Sequence, residues 1–185
     1  HAKIASETGT AIIIGTTGLN AAHQDAIVQA AEHVAVVQAA NFSVGVNILL
    51  GLSEQTAGIL GDDYDIEIVE MHHRKKVDAP SGTALALGKA AAKGRGVEID
   101  NVSQRVRDGH TGPRKAGDIG FATLRGGDVA GDHVIVFAGD GERVELTHRA
   151  SNRTVFAAGA VRAALWTATR SPGLYSMADV LALED

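Results

Sequence analysis

The chain has 185 residues, of which 45% are hydrophobic and 21% are charged, and its formal net charge is -5. This length can bury one good core or two small ones, and the acidic balance gives no indication of nucleic acid or an anionic membrane as a partner. No cysteine is present, which excludes disulfides, thiolate zinc sites and a cysteine nucleophile, and agrees with a cytoplasmic protein. No apolar run approaches the roughly 20 residues that span a bilayer.

The first residues, HAKIASETG (1–9), are typical of the end of a helix that Gly9 closes. An apolar run follows at once. A domain rarely begins inside a helix that has no earlier element to pair with. We therefore expect the chain to be part of a longer polypeptide, with a further segment before His1.

The next segments predict two buried strands joined by a helix. TAIII (10–14) is a continuous apolar run, as in a buried parallel strand. Asn20 is placed to cap an alanine-rich helix over 21–33, and HVAVVQAA (33–40) is a second apolar strand. The three elements form a βαβ unit, which is right-handed almost without exception.

Ligands of such a unit bind beyond the carboxyl ends of its strands, which here are GTTG (15–18) and the stretch 39–42. Small residues let a backbone approach a ligand closely, and threonine hydroxyls with free N–H groups could hold a phosphate, a ribose or an amide. An ordinary strand-to-helix turn would have the same composition. No G-x-G-x-x-G occurs in the chain, so the usual dinucleotide fingerprint gives no support.

The middle of the chain predicts two helices with a strand between them. Residues 42–60 read as a long apolar helix, and DYDIEIVEMHH (63–73) alternates like a strand with one wetter face. Ser81 caps a further helix that runs to Lys93 and is ended by Gly94.

Beyond this helix the pattern changes to short strands between glycine and aspartate turns, namely VSQRVR, IGFATLR, HVIVFAG and RVELTHRA. The predicted fold class is therefore an α/β Rossmann-like remnant plus an α+β domain with a mixed or antiparallel sheet of about four strands. A last helix follows Ser151, and LYSMADVLAL (174–183) is left unassigned.

The stretch EMHHRKKVDAPSGT (70–83) concentrates titratable residues directly after a strand. His72 and His73 are adjacent at the strand end, so they point to opposite faces and are poorly placed to chelate one ion; no metal site is predicted. A histidine can donate a proton near neutral pH, and the cations that follow, including Lys76, attract an anionic substrate.

The end of the same stretch, Pro80 to Thr83, opens a helix. Its free N–H groups and positive dipole end favour a carboxylate, and Gly82 has no side chain to obstruct one. One short segment thus combines a proton donor, cations and an anion site. A capped helix after a solvated charged turn is the ordinary structural explanation, and it stays open.

Three further polar segments also have two interpretations each. GHTGPRKAGD (109–118) is long enough for a lid or for an exposed hairpin loop. Arg153, at the start of the last helix, could bind a second carboxylate or lie at the surface. The segment Asn41 to Ser43 joins the two halves of the chain and could be a hinge.

EMHHRKKVDAPSGTAL (70–85) resembles the signature of the dihydrodipicolinate reductase family. Other segments look like family segments in family order: IIIGTTG (12–18), QAANFSVGVN (38–47), GHTG (109–112), GDIGFATLRGGD (117–128) and RVELTHRASNR (143–153). The likeness covers essentially the whole chain, and the histidine-containing string is long and unusual.

The resemblance implies an oxidoreductase of lysine and diaminopimelate biosynthesis that uses NADPH or NADH. Its substrate would be a cyclic dicarboxylate, 4-hydroxy-tetrahydrodipicolinate, reduced to tetrahydrodipicolinate. By the motif match, His72 is the acid, and Lys76 binds substrate and stabilises developing charge. Further substrate contacts would come from His73, Gly82, Thr83 and Arg153. The cofactor would lie against Gly15, Thr16, Thr17, Ala39, Ala40, Asn41 and Phe42.

The resemblance also implies a cytoplasmic homotetramer, assembled through the sheet of the C-terminal domain. The family begins with a strand, a glycine-rich pyrophosphate loop and the residues that read the ribose, and this sequence has none of them. We therefore assign 1–43 and 153–185 to a remnant of the nucleotide-binding domain, and 44–152 to a substrate-binding and oligomerisation domain.

Two other functions compete with the reductase. The first is a non-catalytic dicarboxylate-binding fragment or assembly module that lacks cofactor binding. The second is another nicotinamide enzyme of similar plan, such as a semialdehyde dehydrogenase, which the absence of a cysteine nucleophile disfavours.

Overall fold

The computed structural model of the chain describes residues 1–183. It divides into two compact units: unit 1 comprises His1–Asn47 and Thr154–Asp185, and unit 2 comprises Ile48–Arg153. These limits lie within a few residues of the predicted domain limits. The functions assigned to the two domains stay predictions.

The helices and strands follow one another in this order: α1 (Ala2–Thr8), β1 (Ile12–Ile14), α2 (Ala21–Ala31), β2 (Ala35–Gln38), α3 (Val44–Leu60), a 3₁₀ turn (Gly61–Asp63), β3 (Asp65–His72), α4 (Gly82–Gly94), α5 (Ile99–Val102), β4 (Ser103–Gln104), β5 (Ile119–Arg125), β6 (Gly131–Gly139), β7 (Glu142–Ala150), α6 (Thr154–Thr167), β8 (Gly173–Tyr175) and α7 (Met177–Leu181).

Unit 1 is built on a parallel sheet with the strand order β1-β2-β8. Ile12 of β1 is in register with Val36 of β2. Asn20 caps α2, since its side chain accepts a hydrogen bond from the backbone N–H of His23 at 3.0 Å. The βαβ arrangement of β1, α2 and β2 is confirmed, with both strands shorter than predicted.

The two ends of the chain form regular elements of unit 1: α1 at the N-terminal end, and β8 and α7 at the C-terminal end. Gly9 ends α1 in the left-handed conformation, with φ 65°, as the sequence predicts. The unassigned stretch at the C-terminal end forms β8 and α7, and the Ser176 side chain caps α7. A strand of three residues is too short to show alternating polar and apolar residues. The strand β8 therefore forms because it pairs with β2, and the sequence pattern could not predict it.

Unit 2 contains a five-stranded mixed sheet in the order β4-β5-β3-β6-β7. β3 lies at the centre, parallel to β5 and antiparallel to β6. The mixed sheet is confirmed, but it has one strand more than the predicted four because β3 joins the later strands. β4 is much shorter than predicted, with only Ser103 and Gln104 paired to β5.

The core of unit 2 lies between one face of this sheet and α4. Ile66 and Ile68 of β3, with Leu87 and Ala91 of α4, are completely buried, and Phe137 of β6 joins them. Burying such aliphatic and aromatic side chains contributes about 1.5–3 kcal/mol each. This packing fixes α4 against β3 and so fixes the start of α4 beside the end of β3.

Helices α3 and α4 approach each other through glycines. An added Cβ on Gly94 would lie 2.1 Å from the carbonyl oxygen of Glu54, and one on Gly58 would lie 3.1 Å from the carbonyl oxygen of Gly94. Because Gly58 and Gly94 have no side chains, the backbones of α3 and α4 can come into contact there. Among residues 1–183, no helix combines the length and the apolar character that crossing a bilayer requires.

We expect Gly94→Ala to lower the free energy of unfolding by about 1–3 kcal/mol, because its methyl group would overlap the Glu54 carbonyl. Urea unfolding measures the effect. Gly51→Ala is the matched control, since Gly51 lies in α3 with nothing within 4 Å of its added Cβ. It should stabilise the chain by about 0.5–1 kcal/mol. Equal stability of Gly94→Ala and the wild type would contradict the close packing of α3 on α4.

Candidate active site

Strand β3 brings Glu70 and His72 to one face of the unit 2 sheet. Alternate residues of a strand point to the same face, so Ile66, Ile68, Glu70 and His72 form one buried row. The apolar half of the row packs under α4. The polar half lies at the start of α4, where Ser81 is the N-cap.

The Glu70 carboxylate is 1% exposed and is surrounded by hydrogen-bond donors. Arg125 binds it through two nitrogens, with Nη1 at 2.8 Å from Oε2 and Nη2 at 2.9 Å from Oε1. The backbone N–H of Ser81 donates to Oε1 at 3.0 Å, and His72 Nδ1 lies 2.6 Å from Oε2. Burial raises the pKa of Glu70, but these hydrogen bonds outweigh burial and hold that pKa below its ordinary value.

Arg125 connects three parts of unit 2. It is the last residue of β5, in register with His72 on β3. Besides Glu70, its guanidinium donates to the carbonyl oxygen of Asp78 at 2.6 Å and to that of Leu124 at 2.7 Å. The two strand ends and the loop before α4 are therefore held together by one side chain.

A second histidine, His133 of β6, packs against His72. The two ring centroids are 5.1 Å apart, with an interplanar angle of 74°. His133 Nε2 lies 3.0 Å from Ser81 Oγ. Burial, and then the nearby His72, lower the pKa of His133 to about 4. His133 is therefore neutral at pH 7 and is a poor proton donor.

The segment from the end of β3 to the start of α4 holds the predicted substrate residues His72, His73, Lys76, Gly82 and Thr83. β3 ends at His72, so His73 lies outside the strand, where its N–H donates to the Val129 carbonyl at 2.8 Å. Lys76 Nζ donates to Asp78 at 2.8 Å, which lowers the pKa of Asp78. Gly82 is exposed at the first position of α4, and Thr83 is half-buried.

Arg153 is not brought to this segment by any contact within residues 1–183. It is exposed, and it directly precedes α6 as the last residue of unit 2. Its predicted role in binding a carboxylate stays a prediction.

The predicted cofactor residues lie in unit 1, at the carboxyl ends of β1 and β2. The Ala39 N–H donates to the Ile14 carbonyl at 3.0 Å, which keeps these two ends together. Thr16 and Thr17 are exposed, and within residues 1–183 their hydroxyls make no hydrogen bond. Of the remaining residues, Gly15 and Ala40 are exposed, Asn41 is half-buried and Phe42 is buried.

Two family descriptions match this chain. Residues 1–42 match "Dihydrodipicolinate reductase, N-terminus", and residues 45–181 match "Dihydrodipicolinate reductase, C-terminus". The chain belongs to the dihydrodipicolinate reductase family. The resemblance predicted from the motifs is thus confirmed.

Two curated relatives are both named 4-hydroxy-tetrahydrodipicolinate reductase. The chain is 60% identical to the 4-hydroxy-tetrahydrodipicolinate reductase of Beijerinckia indica subsp. indica, over 98% of this chain and 67% of the relative. It is 58% identical to that of Rhodopseudomonas palustris, over 99% of this chain and 67% of the relative. The chain therefore spans about two thirds of the length of these reductases.

A solved structure has the same fold. The dipicolinate-bound dihydrodipicolinate reductase from Paenisporosarcina sp. TG-14 matches with a TM-score of 0.75 and 24% identity, over 95% of this chain and 66% of that one. At this identity the likeness shows the fold alone. It confirms the predicted fold class, an α/β part with a mixed-sheet part.

The comparisons also bear on the predicted chemistry. Reductases of this family are oxidoreductases that use NADPH or NADH, and the N-terminal part is their nucleotide-binding domain. Nothing among the comparisons favours a non-catalytic module. Within residues 1–183, no group of three or more histidine, aspartate or glutamate side chains could hold a metal ion.

Sequence reasoning missed most of the polar network around His72. Glu70 could have been found, because it lies two residues before His72 and alternation places both on one face. Ser81 was recognised as a helix cap but not as a neighbour of His133. Arg125 and His133 had no local signal, since they reach the site only through the pairing of β5 and β6 with β3.

The buried, neutral His133 predicts a pH-dependent stability. Folded His133 titrates at about 4 against an ordinary value of 6.5, so the unfolded state binds more protons between these values. The free energy of unfolding should be highest above pH 6.5 and fall toward pH 4, by at most about 3 kcal/mol from this group. His133→Gln should flatten that part of the curve, as measured by urea unfolding at a series of pH values.

His33→Gln serves as the control, because His33 is exposed and should leave the slope unchanged. Burial also lowers the pKa of His148, so a smaller slope of the same sign should remain in His133→Gln. A wild-type slope in His133→Gln would show that His133 is not buried in its neutral form.

Proposed function

We propose that this chain carries the substrate chemistry of a 4-hydroxy-tetrahydrodipicolinate reductase. One observation supports this above all: the predicted acid, His72, is hydrogen-bonded to a buried carboxylate beside the N-terminus of α4. An imidazole held in this way is suited to proton transfer, and a helix N-terminus is suited to a carboxylate. The two curated relatives named 4-hydroxy-tetrahydrodipicolinate reductase support the assignment independently.

The substrate carboxylates would be bound by the segment between β3 and α4. Gly82 and Thr83 supply the first N–H groups of α4, where the helix dipole favours an anion. Lys76 is paired with Asp78; the Asp78 side chain is 57% exposed and the Lys76 side chain is 20% exposed. An exposed ion pair contributes only about 0–1 kcal/mol, so a substrate carboxylate can replace Asp78 as the partner of Lys76 at little cost. His73 and Arg153 complete the proposed set.

The reaction removes the 4-hydroxyl group as water and adds a hydride and a proton to the ring. NADPH or NADH, when bound, supplies the hydride. His72 delivers the proton to the neighbouring ring carbon, and Lys76 balances negative charge that develops as the hydride arrives. His133 does not compete as an acid because its low pKa keeps it neutral.

The residues at the carboxyl ends of β1 and β2 fit the nicotinamide side of such a cofactor. An added Cβ on Gly15 would lie 3.3 Å from the ring of Phe42, so a larger residue there would have to displace that ring slightly. The exposed hydroxyls of Thr16 and Thr17 are available for an amide or ribose. Ala39, Ala40 and Asn41 would form the second wall of this site.

Assembly and location form the remaining part of the proposal: a homotetramer in the cytoplasm, joined through the unit 2 sheet. The face of this sheet opposite α4 supports it. Leu124 of β5 is 50% exposed, and its register partner Met71 is half-buried. A partner sheet would cover both side chains.

We expect the chain to bind pyridine-2,6-dicarboxylate, the planar analogue of the substrate, in a calorimetric titration. His72→Gln should lower reductase turnover by about 10²–10⁴-fold while changing this affinity little, because a general acid acts in the transition state. His33→Gln is the control, with an exposed histidine in unit 1, and it should keep wild-type turnover.

Two outcomes would contradict this assignment. Absence of dicarboxylate binding would refute the pocket around His72 and Gly82. Binding without any turnover, and without tightening by NADH, would instead identify a dicarboxylate-binding fragment.

The proposed tetramer predicts a mass in light scattering of about four times the chain mass of 19.1 kDa. Leu124→Asp should dissociate it, because the new charge would be buried in the interface. Ile59→Asp is the control, since Ile59 is 76% exposed near the end of α3 and is not part of the sheet. A monomeric wild type, or a tetramer that survives Leu124→Asp, would refute assembly through this face.

A further inference from the structure

Three of the four hydrogen-bond partners of the Glu70 carboxylate can only donate. Oε1 accepts from the Ser81 N–H and from Arg125 Nη2, and Oε2 accepts from Arg125 Nη1. An ionised carboxylate has no proton to donate. The fourth contact, His72 Nδ1 at 2.6 Å from Oε2, must therefore also be a donor.

This arrangement determines where the His72 proton resides. With a proton on Nδ1, the neutral imidazole has its lone pair on Nε2. When His72 is protonated, the second proton lies on Nε2. Nδ1–H stays engaged with Glu70 in both states, so Nε2 is the nitrogen that gains and loses the proton.

The surroundings of Nε2 agree with this role. Within residues 1–183, Nε2 makes no hydrogen bond, and the His72 side chain keeps 11% of its surface exposed. Gly131 lies close to this nitrogen, since an added Cβ on Gly131 would be 3.0 Å from Nε2. The absence of a side chain at Gly131 leaves room for a ligand atom at this nitrogen.

We propose that Glu70 is a positioning residue for His72. Glu70, held by Arg125 and the Ser81 N–H, fixes His72 as the Nδ1–H tautomer and directs Nε2 to the substrate. The catalytic part of this inference rests on the proposed function, since it assumes that His72 is the acid. The assignment of the tautomer depends only on the hydrogen bonds within unit 2.

Glu70→Gln tests the proposal directly. An amide must place an NH₂ group at one of the two oxygen positions, where it meets donors. At the Oε1 position the NH₂ group would meet two fixed donors, the Ser81 N–H and Arg125 Nη2. At the Oε2 position it would meet only one, Arg125 Nη1, because His72 Nδ1 can become an acceptor if its proton moves to Nε2. The NH₂ group is therefore expected to face His72 and to reverse its tautomer.

The experiment compares wild type, Glu70→Gln and Glu67→Gln. Glu67 is the matched control: it lies on the same strand, and two arginines, Arg107 and Arg114, bind its carboxylate, but within residues 1–183 it makes no hydrogen bond with a histidine. The first readout is the ¹⁵N chemical shift of the two His72 nitrogens above the histidine titration range. The second is turnover, compared with the affinity for pyridine-2,6-dicarboxylate.

The expected wild-type spectrum shows a protonated Nδ1 and an unprotonated Nε2. Glu70→Gln should exchange these two signals and lower turnover by about 10²–10⁴-fold, with affinity changed by less than about threefold. Glu67→Gln should keep both the wild-type signals and turnover. A structural effect of losing an ion pair would instead appear in both variants.

Three results would overturn the proposal: a wild-type His72 protonated at Nε2, an unchanged tautomer in Glu70→Gln, or a reversed tautomer with wild-type turnover. The wild-type spectrum alone decides the first, even if Glu70→Gln does not fold. A chain that shows the expected tautomers but no turnover in any form would refute the proposed function, and with it the catalytic part of this inference.

Discussion

The buried charge of Glu70 is the constraint on which the candidate site depends. A carboxylate that is 1% exposed is strongly unfavourable unless its lone pairs are satisfied. Here Arg125 supplies the opposite charge in two parallel hydrogen bonds, and Ser81 and His72 supply the other donors. Breaking such a pair by removing one partner typically costs about 3–5 kcal/mol, because the remaining charge stays buried. The three chain segments that meet at Glu70 are thereby held in one arrangement.

The same strand provides both the core and the site. Ile66 and Ile68 anchor β3 under α4, and the next two inward residues are Glu70 and His72. Apolar packing thus determines where the backbone of His72 lies, and the hydrogen bond to Glu70 determines how its ring is oriented. His133 contributes to stability only in its neutral form, since burial lowers its pKa to about 4. The site is therefore most stable at pH values well above 4, at which His133 is uncharged and a dicarboxylate is ionised.

The features that could be predicted from the sequence are those whose interacting residues lie close together in the chain. Periodicity and caps predicted the βαβ unit, α4 and the inner strands, because those signals lie within a few residues of one another. The motif predicted His72 as the acid and Lys76 as a substrate-binding residue, and these roles stay predictions. The partners of the acid were not predicted, since Arg125 lies 55 positions from Glu70 and His133 lies 52 positions from Ser81. Only the strand order β5-β3-β6 brings them together, and no local pattern specifies that order.

The loop before α4 contains two ion pairs of opposite character, and the difference suits a binding site. Glu70 with Arg125 is buried and bidentate, so it is rigid and costly to break. In the pair of Lys76 with Asp78 the carboxylate is 57% exposed, so this pair contributes less and can exchange partners. The first pair holds the backbone and the acid in place before a substrate arrives. The second leaves one cation ready to move to an incoming carboxylate. A site with only buried pairs could not release its lysine, and one with only exposed pairs would not orient its acid.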